Sequence, residues 1–247
     1  LMILGEAALD SLRKGVMYFE DHKGDVMEKL STNFGFFSIQ EGGSKRAPCD
    51  RYVFCQKTFQ EFFSGYFLAF SVIDDVTNFH SVVTGETYMG ELLQVFKFMI
   101  GFLAQRSEKT AVSVVRSIAS VVNETGHTDG KYDTYLWLAH VLIEECKTYS
   151  EALNRKLARA FGMSLGLVDM VVRHVVSRRE NEIFGTFFQA LTFNSTVANL
   201  KLLDWALSTE STNLLAQALK VNTSLSSLSL PSNSIGAEGA NLQIGRA

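Results

Sequence analysis

Few side chains in this chain have the types and spacing to do chemistry, and each group stops short of a working constellation. Three cysteines, Cys49, Cys55 and Cys146, have no metal-like spacing. Histidines stand at 22, 80, 127, 140 and 174, but none lies beside Cys55 in a way that would activate it. A cysteine at the end of a strand, next to aromatic residues, packs as a small hydrophobe. His140 and Glu144 share a helix face at i, i+4, yet two ligands do not hold zinc, so the spacing predicts a helix-surface pair. Gly126-His-Thr-Asp-Gly-Lys-Tyr132 approaches a phosphate-binding loop. It has three spacer residues instead of four and no hydroxyl residue after Lys131, so it reads as a polar turn between helices. No catalytic residue, metal site or resident cofactor is expected, and the chain does not read as an enzyme.

Charge narrows the partners. Lys45, Arg46 and Arg51 concentrate positive charge in one polar stretch, but the chain carries a net charge of −3. A general nucleic-acid binder shows a basic excess, so a solvated loop is expected there and no nucleic acid. The longest apolar run, Gly65 to Ile73, is far short of the roughly 18 residues a membrane span needs. Leu1 to Glu6 is too short and uncharged for a signal peptide. The odd cysteine count points to a reducing, cytoplasmic setting, which gives the Asn-x-Ser/Thr patterns at 123, 194 and 222 little meaning as glycosylation sites. The opening Leu1 and a last residue, Ala247, that falls inside a repeating pattern read as a segment of a longer protein.

Several elements would position these residues. With 247 residues, 47% apolar and only two prolines, the chain supports a packed, mostly helical core rich in its 19 phenylalanines. Leu9, Leu12, Val16 and Phe19 form a helical stripe, and a short second helix is predicted around 25–34. Phe37 and Ile39 alternate, as do Tyr52 and Phe54, across a polar stretch with Gly42, Gly43 and Pro48. That predicts a β-hairpin with a long loop. A helix follows from about Thr58 to Ile73, its face marked by Phe59, Phe62, Phe63 and Phe67. Helices, then a hairpin, then a helix is the order of a winged-helix unit, with Phe59 and Phe62 expected in its packing. Beyond Glu86 the chain reads as a stack of about six helices. Leu92, Phe96, Met99 and Leu103 make one stripe, and Val115, Ile118, Ala119 and Val122 another. The third, Tyr135 to Cys146, is apolar on most faces and so central. Ser150 reads as an N-cap with Glu151 in the first turn, and Gly162 and Gly166 as turn residues.

The C-terminal region repeats itself. Phe187–Leu202 and Leu215–Leu230 align at an offset of 28, with six of sixteen positions identical. That period with L-x-x-L-x-L is a leucine-rich-repeat signature. Leu225, Leu228 and Leu230 should point inward, Ser227 and Ser229 outward on the concave face, and Asn233 should satisfy backbone groups in the turn. Ile235 would return to the core, with Gly236 and Gly239 flanking the next helix. Trp205 stands where the second copy has Asn233, as expected of an atypical terminal repeat.

Together these residues suggest a family. Phe54-Cys-Gln-Lys-Thr-Phe-Gln-Glu-Phe-Phe-Ser-Gly65 resembles the F-x-H-x-[ST]-F-Q-E-[FY] segment of the NOD-like receptors. Leu4–Gly15 is similar to that family's L-G-x-x-A-x-x-G-L winged-helix opening, and Leu225–Ala240 to its ribonuclease-inhibitor-type repeats. The resemblance implies a mainly α chain: a winged-helix domain over 1–76, a helical domain over 77–185, and the first, truncated leucine-rich repeats over 186–247. It implies a regulatory, ligand-sensing segment of a cytosolic innate immune receptor. Protein or microbial ligand binding by the repeats would be coupled to a nucleotide-controlled oligomerisation switch. ADP or ATP would be held by an upstream nucleotide-binding domain, and self-assembly would belong to the full-length parent. In the family, the histidine of the motif contacts the ADP phosphate. The matching position is Gln56, whose amide donates a hydrogen bond but carries no charge. Ser227 and Ser229 would mark the protein-binding face. The alternative is a non-signalling leucine-rich-repeat scaffold or inhibitor that binds another protein.

Overall fold

The computed structural model describes residues 1–21, 35–44, 47–84, 89–126, 132–173, 180–205, 207–231 and 233. Among the described residues the fold is mainly helical with two small three-stranded sheets. It divides into two compact units, one formed by Leu1–Asn78 with Gly85–Leu103, the other by Phe79–Thr84 with Ala104–Ala247.

The first unit opens with α1 (Met2–Arg13). The stripe expected to continue to Phe19 stops early, because Gly15 takes a left-handed φ of +68 that turns the chain. Phe19 therefore lies on a strand, β1 (Tyr18–Asp21), which pairs antiparallel with β3 (Ala47–Phe54). β2 (Phe37–Ser44) pairs with the other side of β3. The hairpin is present, but its loop is not long. The strands pair as far as Ser44 opposite Ala47, and Gly42, Gly43 and Pro48 sit inside them. Pro48 pairs with Gly43 of β2. The helix expected at 25–34 falls outside the described residues.

Helix α2 (Lys57–Asp74) matches its expected span closely. It crosses α1 at very short range: a Cβ on Gly5 would stand 2.5 Å from Phe67 Cβ and 2.6 Å from the Phe63 carbonyl oxygen. Gly5 and the fully buried Ala8 are the small residues of the L-G-x-x-A motif, spaced to share a helix face. Leu4, Ala8, Phe37, Tyr52, Phe54 and Phe63 form the core, with Phe19, Phe36 and Phe59 packed against it. Phe19 stacks on Tyr52 with centroids 5.4 Å apart, and Phe36 meets Phe59 edge-on at 5.1 Å. Gln60, fully buried, ties the pieces together. Its amide donates to Ser11 Oγ at 2.7 Å and to the Val16 carbonyl at 2.8 Å. Phe62 is not in that core. It is 38% exposed and faces Phe98 of α4.

After α3 (Thr77–Thr84), helix α4 (Met89–Arg106) buries Leu92, Phe96, Met99 and Leu103 as its stripe predicts. In the second unit α5 (Glu108–Thr125) buries Val115, Ile118, Ala119 and Val122 completely. Ser107 caps it, accepting the Thr110 N–H at 3.3 Å. α6 (Tyr132–Lys147) is buried along most of its faces. Ser150 caps α7 (Glu151–Ser164) by accepting the Leu153 N–H at 3.2 Å. Gly162 is not a turn residue. It lies inside α7, where a Cβ would collide with the Ala190 carbonyl oxygen, so its missing side chain lets α8 (Glu180–Phe193) approach.

The stretch expected to be wholly helical ends in a strand, β4 (Asp169–Arg173). It begins a parallel sheet continued by β5 (Asn199–Leu203) and β6 (Ser227–Ser229), with α8 before β5 and α9 (Thr209–Val221) before β6. Met170, Val172, Leu200 and Leu202 point inward and are buried. Among the described residues no helix is long and apolar enough to cross a membrane.

Candidate functional site

The sheet of the second unit presents a polar surface tied to the repeat. Strand residues alternate between core and solvent. The register brings Asp169, Asn199 and Ser227 into one row, and Val171, Lys201 and Ser229 into the next. Ser227 and Ser229 are exposed, as expected, with Leu228 half-buried between them. Leu225 is buried, and Leu230 is half-buried. Asp169, Asn199, Lys201 and Arg173 complete the face. Asn199 Nδ2 donates to Asp169 Oδ1 at 2.6 Å, and Arg173 pairs with Asp133 at 3.5 Å, leaving Lys201 and the hydroxyls directed to solvent. Such a surface binds a partner through hydrogen bonds and charge.

Buried asparagines close the turns behind this face. Asn194 donates to the carbonyls of Gly162 (2.9 Å) and Leu165 (3.0 Å) and accepts from the N–H of Thr196 (3.0 Å) and Val197 (2.8 Å). Asn222 repeats the pattern one unit on. Its amide donates to Leu191 (2.7 Å) and Asn194 (2.9 Å), and its oxygen accepts from Ser224 (3.0 Å) and Leu225 (2.8 Å). These are the asparagines of two Asn-x-Ser/Thr patterns, and their amides are spent inside the protein. Asn233 donates to the Leu202 carbonyl at 2.9 Å, as expected of a turn residue. Trp205 is 3% exposed and packs on Phe187 at 5.5 Å, so an aromatic core fills the position that the next unit gives to Asn233. Ile235, Gly236 and Gly239 lie outside the described residues.

Gln56 stands exposed in extended backbone (φ −143, ψ 141) as the N-cap residue of α2, and its side chain makes no capping bond. The first turn of α2 holds no acidic residue, and Lys57 beside Gln56 is exposed.

The remaining candidates come apart. Cys55 is exposed and follows β3, so it is not the packed strand cysteine expected. Cys146 is buried, and desolvation pushes its thiol up to about 12, which makes it inert. His140 is not on a helix surface. It is 3% exposed, edge-on to Phe161 and Phe187, because α6 is central and its partners are apolar. Neither ring nitrogen meets a hydrogen-bond partner among the described residues, and burial pushes its pKa down to about 3. Glu144 turns instead to Thr186 Oγ1, which donates to it at 2.7 Å. Arg51 lies on β3, paired with Glu20 at 2.9 Å and over the Tyr18 ring. Lys45, Arg46 and most of the Gly126–Tyr132 turn fall outside the described residues. No group of three His, Cys, Asp or Glu side chains suited to a metal occurs among the described residues.

Asp169, Arg173, Asn199 and Lys201 were missed by sequence reasoning. The available signal was the alternation of Met170 and Val172, which matches Leu200 and Leu202 at the paired register. No protein-family model matches the chain, and no curated protein matches it.

Proposed function

We propose that this chain is the regulatory, ligand-sensing segment of a NOD-like receptor: a winged helix, a helical domain and the first leucine-rich repeats. The observation that carries the reading is the pair of helix–strand units whose buried Asn194 and Asn222 make equivalent bonds, stacked in a parallel sheet. The first unit supports it with two helices on a three-stranded antiparallel sheet, held by Phe63 and by the Gly5, Ala8 and Gln60 of the family motifs. In this reading the exposed sheet face, including Ser227 and Ser229, meets a protein or microbial ligand in the cytoplasm. Ligand binding then biases a closed, ADP-bound parent toward an open, self-assembling form, with nucleotide held and hydrolysed upstream.

Gln56 would approach the nucleotide phosphate with the α2 N-terminus and Lys57 beside it. The test is the full-length parent, in which ADP dissociation is measured for the wild type and for Gln56→His. The histidine variant should hold ADP more tightly and open less readily. The isolated chain should show no nucleotide turnover. A parent without a G-x-x-x-x-G-K-[ST] loop upstream, or one that binds no nucleotide, defeats the switch and leaves the scaffold or inhibitor, a reading favoured by the uncharged Gln56.

A further inference from the structure

A groove of about 640 Å³ crosses the second unit, lined by α6, α7, α8 and α9 and by no strand residue. It is thus separate from the sheet face of the proposed ligand site. One wall is a single stripe of α9: Glu210, Leu214, Gln217 and Val221, at i, i+4, i+7 and i+11. That stripe runs about 16 Å, three turns of helix. The opposite wall carries Glu144, Lys147 and Glu151, from the end of α6 and the start of α7. The floor is α8. Gly185 lines it without a side chain; a Cβ there would stand 3.9 Å from Leu214 Cδ1.

The charges are lopsided. Among the described residues Lys147 is the only cation lining the groove, and it is paired with Glu144 at 3.3 Å. Glu144 also accepts from Thr186. Glu151 has only a loose, solvent-exposed contact with Arg155 at 3.9 Å, and Glu210 has no ion pair among the described residues. Two carboxylates on opposite walls therefore face the groove with little neutralisation. Between them Leu214 is half-buried and Val221 is 61% exposed. These carboxylates do not form a metal-binding group, and their sign repels phosphate and nucleic acid.

We propose that this groove docks a cationic amphipathic helix of a partner protein. Its apolar side lies on Leu214 and Val221, and its lysines or arginines face Glu151 and Glu210. Leu214 and Val221 are seven residues apart, so they receive apolar side chains at i and i+7 of the guest. The inference goes beyond the proposed receptor reading and does not depend on it.

The probe is a fluorescein-labelled fifteen-residue helical peptide of leucine and lysine (about four turns). A twin with glutamate for lysine and an unstructured glycine–lysine peptide of equal charge serve as controls. The leucine–lysine peptide should bind the full chain in fluorescence anisotropy at least ten times more tightly than either control. It should slow amide hydrogen exchange over α8 and α9. The double variant Glu151→Lys, Glu210→Lys should weaken it at least tenfold. Val221→Lys should do the same, and since that change sits at a helix C-terminus, it leaves the fold in place even if the double variant does not fold. Glu91→Lys, in the other unit, should leave binding unchanged. No binding, equal binding of the glycine–lysine peptide, undiminished affinity in Val221→Lys, or protection outside α8 and α9 would each overturn the proposal.

Discussion

The side-chain amide of Asn222 donates to the backbone carbonyl of Asn194, the residue that holds the same place 28 positions earlier. Each asparagine fills two acceptors and two donors of its turn, so each rung is built on the one before it. Replacing Asn222 with alanine strands buried backbone groups that water cannot reach. Asn222→Ala should cost about 2–4 kcal/mol in urea denaturation. Asn222→Asp keeps the acceptor, loses the donor and should cost nearly as much. A loss under about 0.5 kcal/mol would show that the ladder is not what holds the repeats.

Glycine is poor in the middle of a helix, so Gly162→Ala would ordinarily stabilise by about 1 kcal/mol. Here the new Cβ would collide with the Ala190 carbonyl oxygen, a backbone atom that cannot swing aside. The substitution should instead lower the melting temperature, with a cost of about 2 kcal/mol or more. Gly185→Ala, with only Leu214 Cδ1 nearby at 3.9 Å, should be neutral or slightly stabilising. The contrast between the two tests whether the α7–α8 contact is set by backbone approach.

His140 ionises near its ordinary 6.5 in the unfolded chain and only near about 3 when folded. Between those values the unfolded state holds the extra proton, so stability falls as pH drops from 6.5 toward 3. The contribution is complete above that window and is lost progressively within it. His140→Phe, against the Phe161 and Phe187 rings, should flatten that part of the stability–pH curve. An unchanged slope would place the acid sensitivity elsewhere.

Two glutamines four residues apart should behave oppositely. Gln60→Leu removes the amide that holds Ser11 and Val16 to α2 and should cost about 1–3 kcal/mol by chemical denaturation. Gln56→Ala removes an exposed side chain with no capping bond, so stability should change by less than about 0.5 kcal/mol. A large loss at Gln56 would mean that this residue serves the fold and not a ligand.

Local rules were enough to read much of this chain. The apolar period of α2, α4 and α5 and the Ser150 cap depend on neighbours in sequence, and they appear where expected. The outward direction of Ser227 and Ser229 follows from strand alternation alone. What failed depended on distant partners. Phe19 keeps a helical spacing from Leu12, yet β3 draws it into a strand once Gly15 has turned the chain. Gly162 looks like a turn residue until Ala190 is brought against it. His140 and Glu144 share a spacing but not an environment: one is enclosed by Phe161 and Phe187, and the other reaches Thr186. Periodicity and capping are short-range and leave their mark in the order of residues. Burial, helix approach and the polar face of the sheet arise from contacts across tens of residues, and only the folded arrangement brings those together.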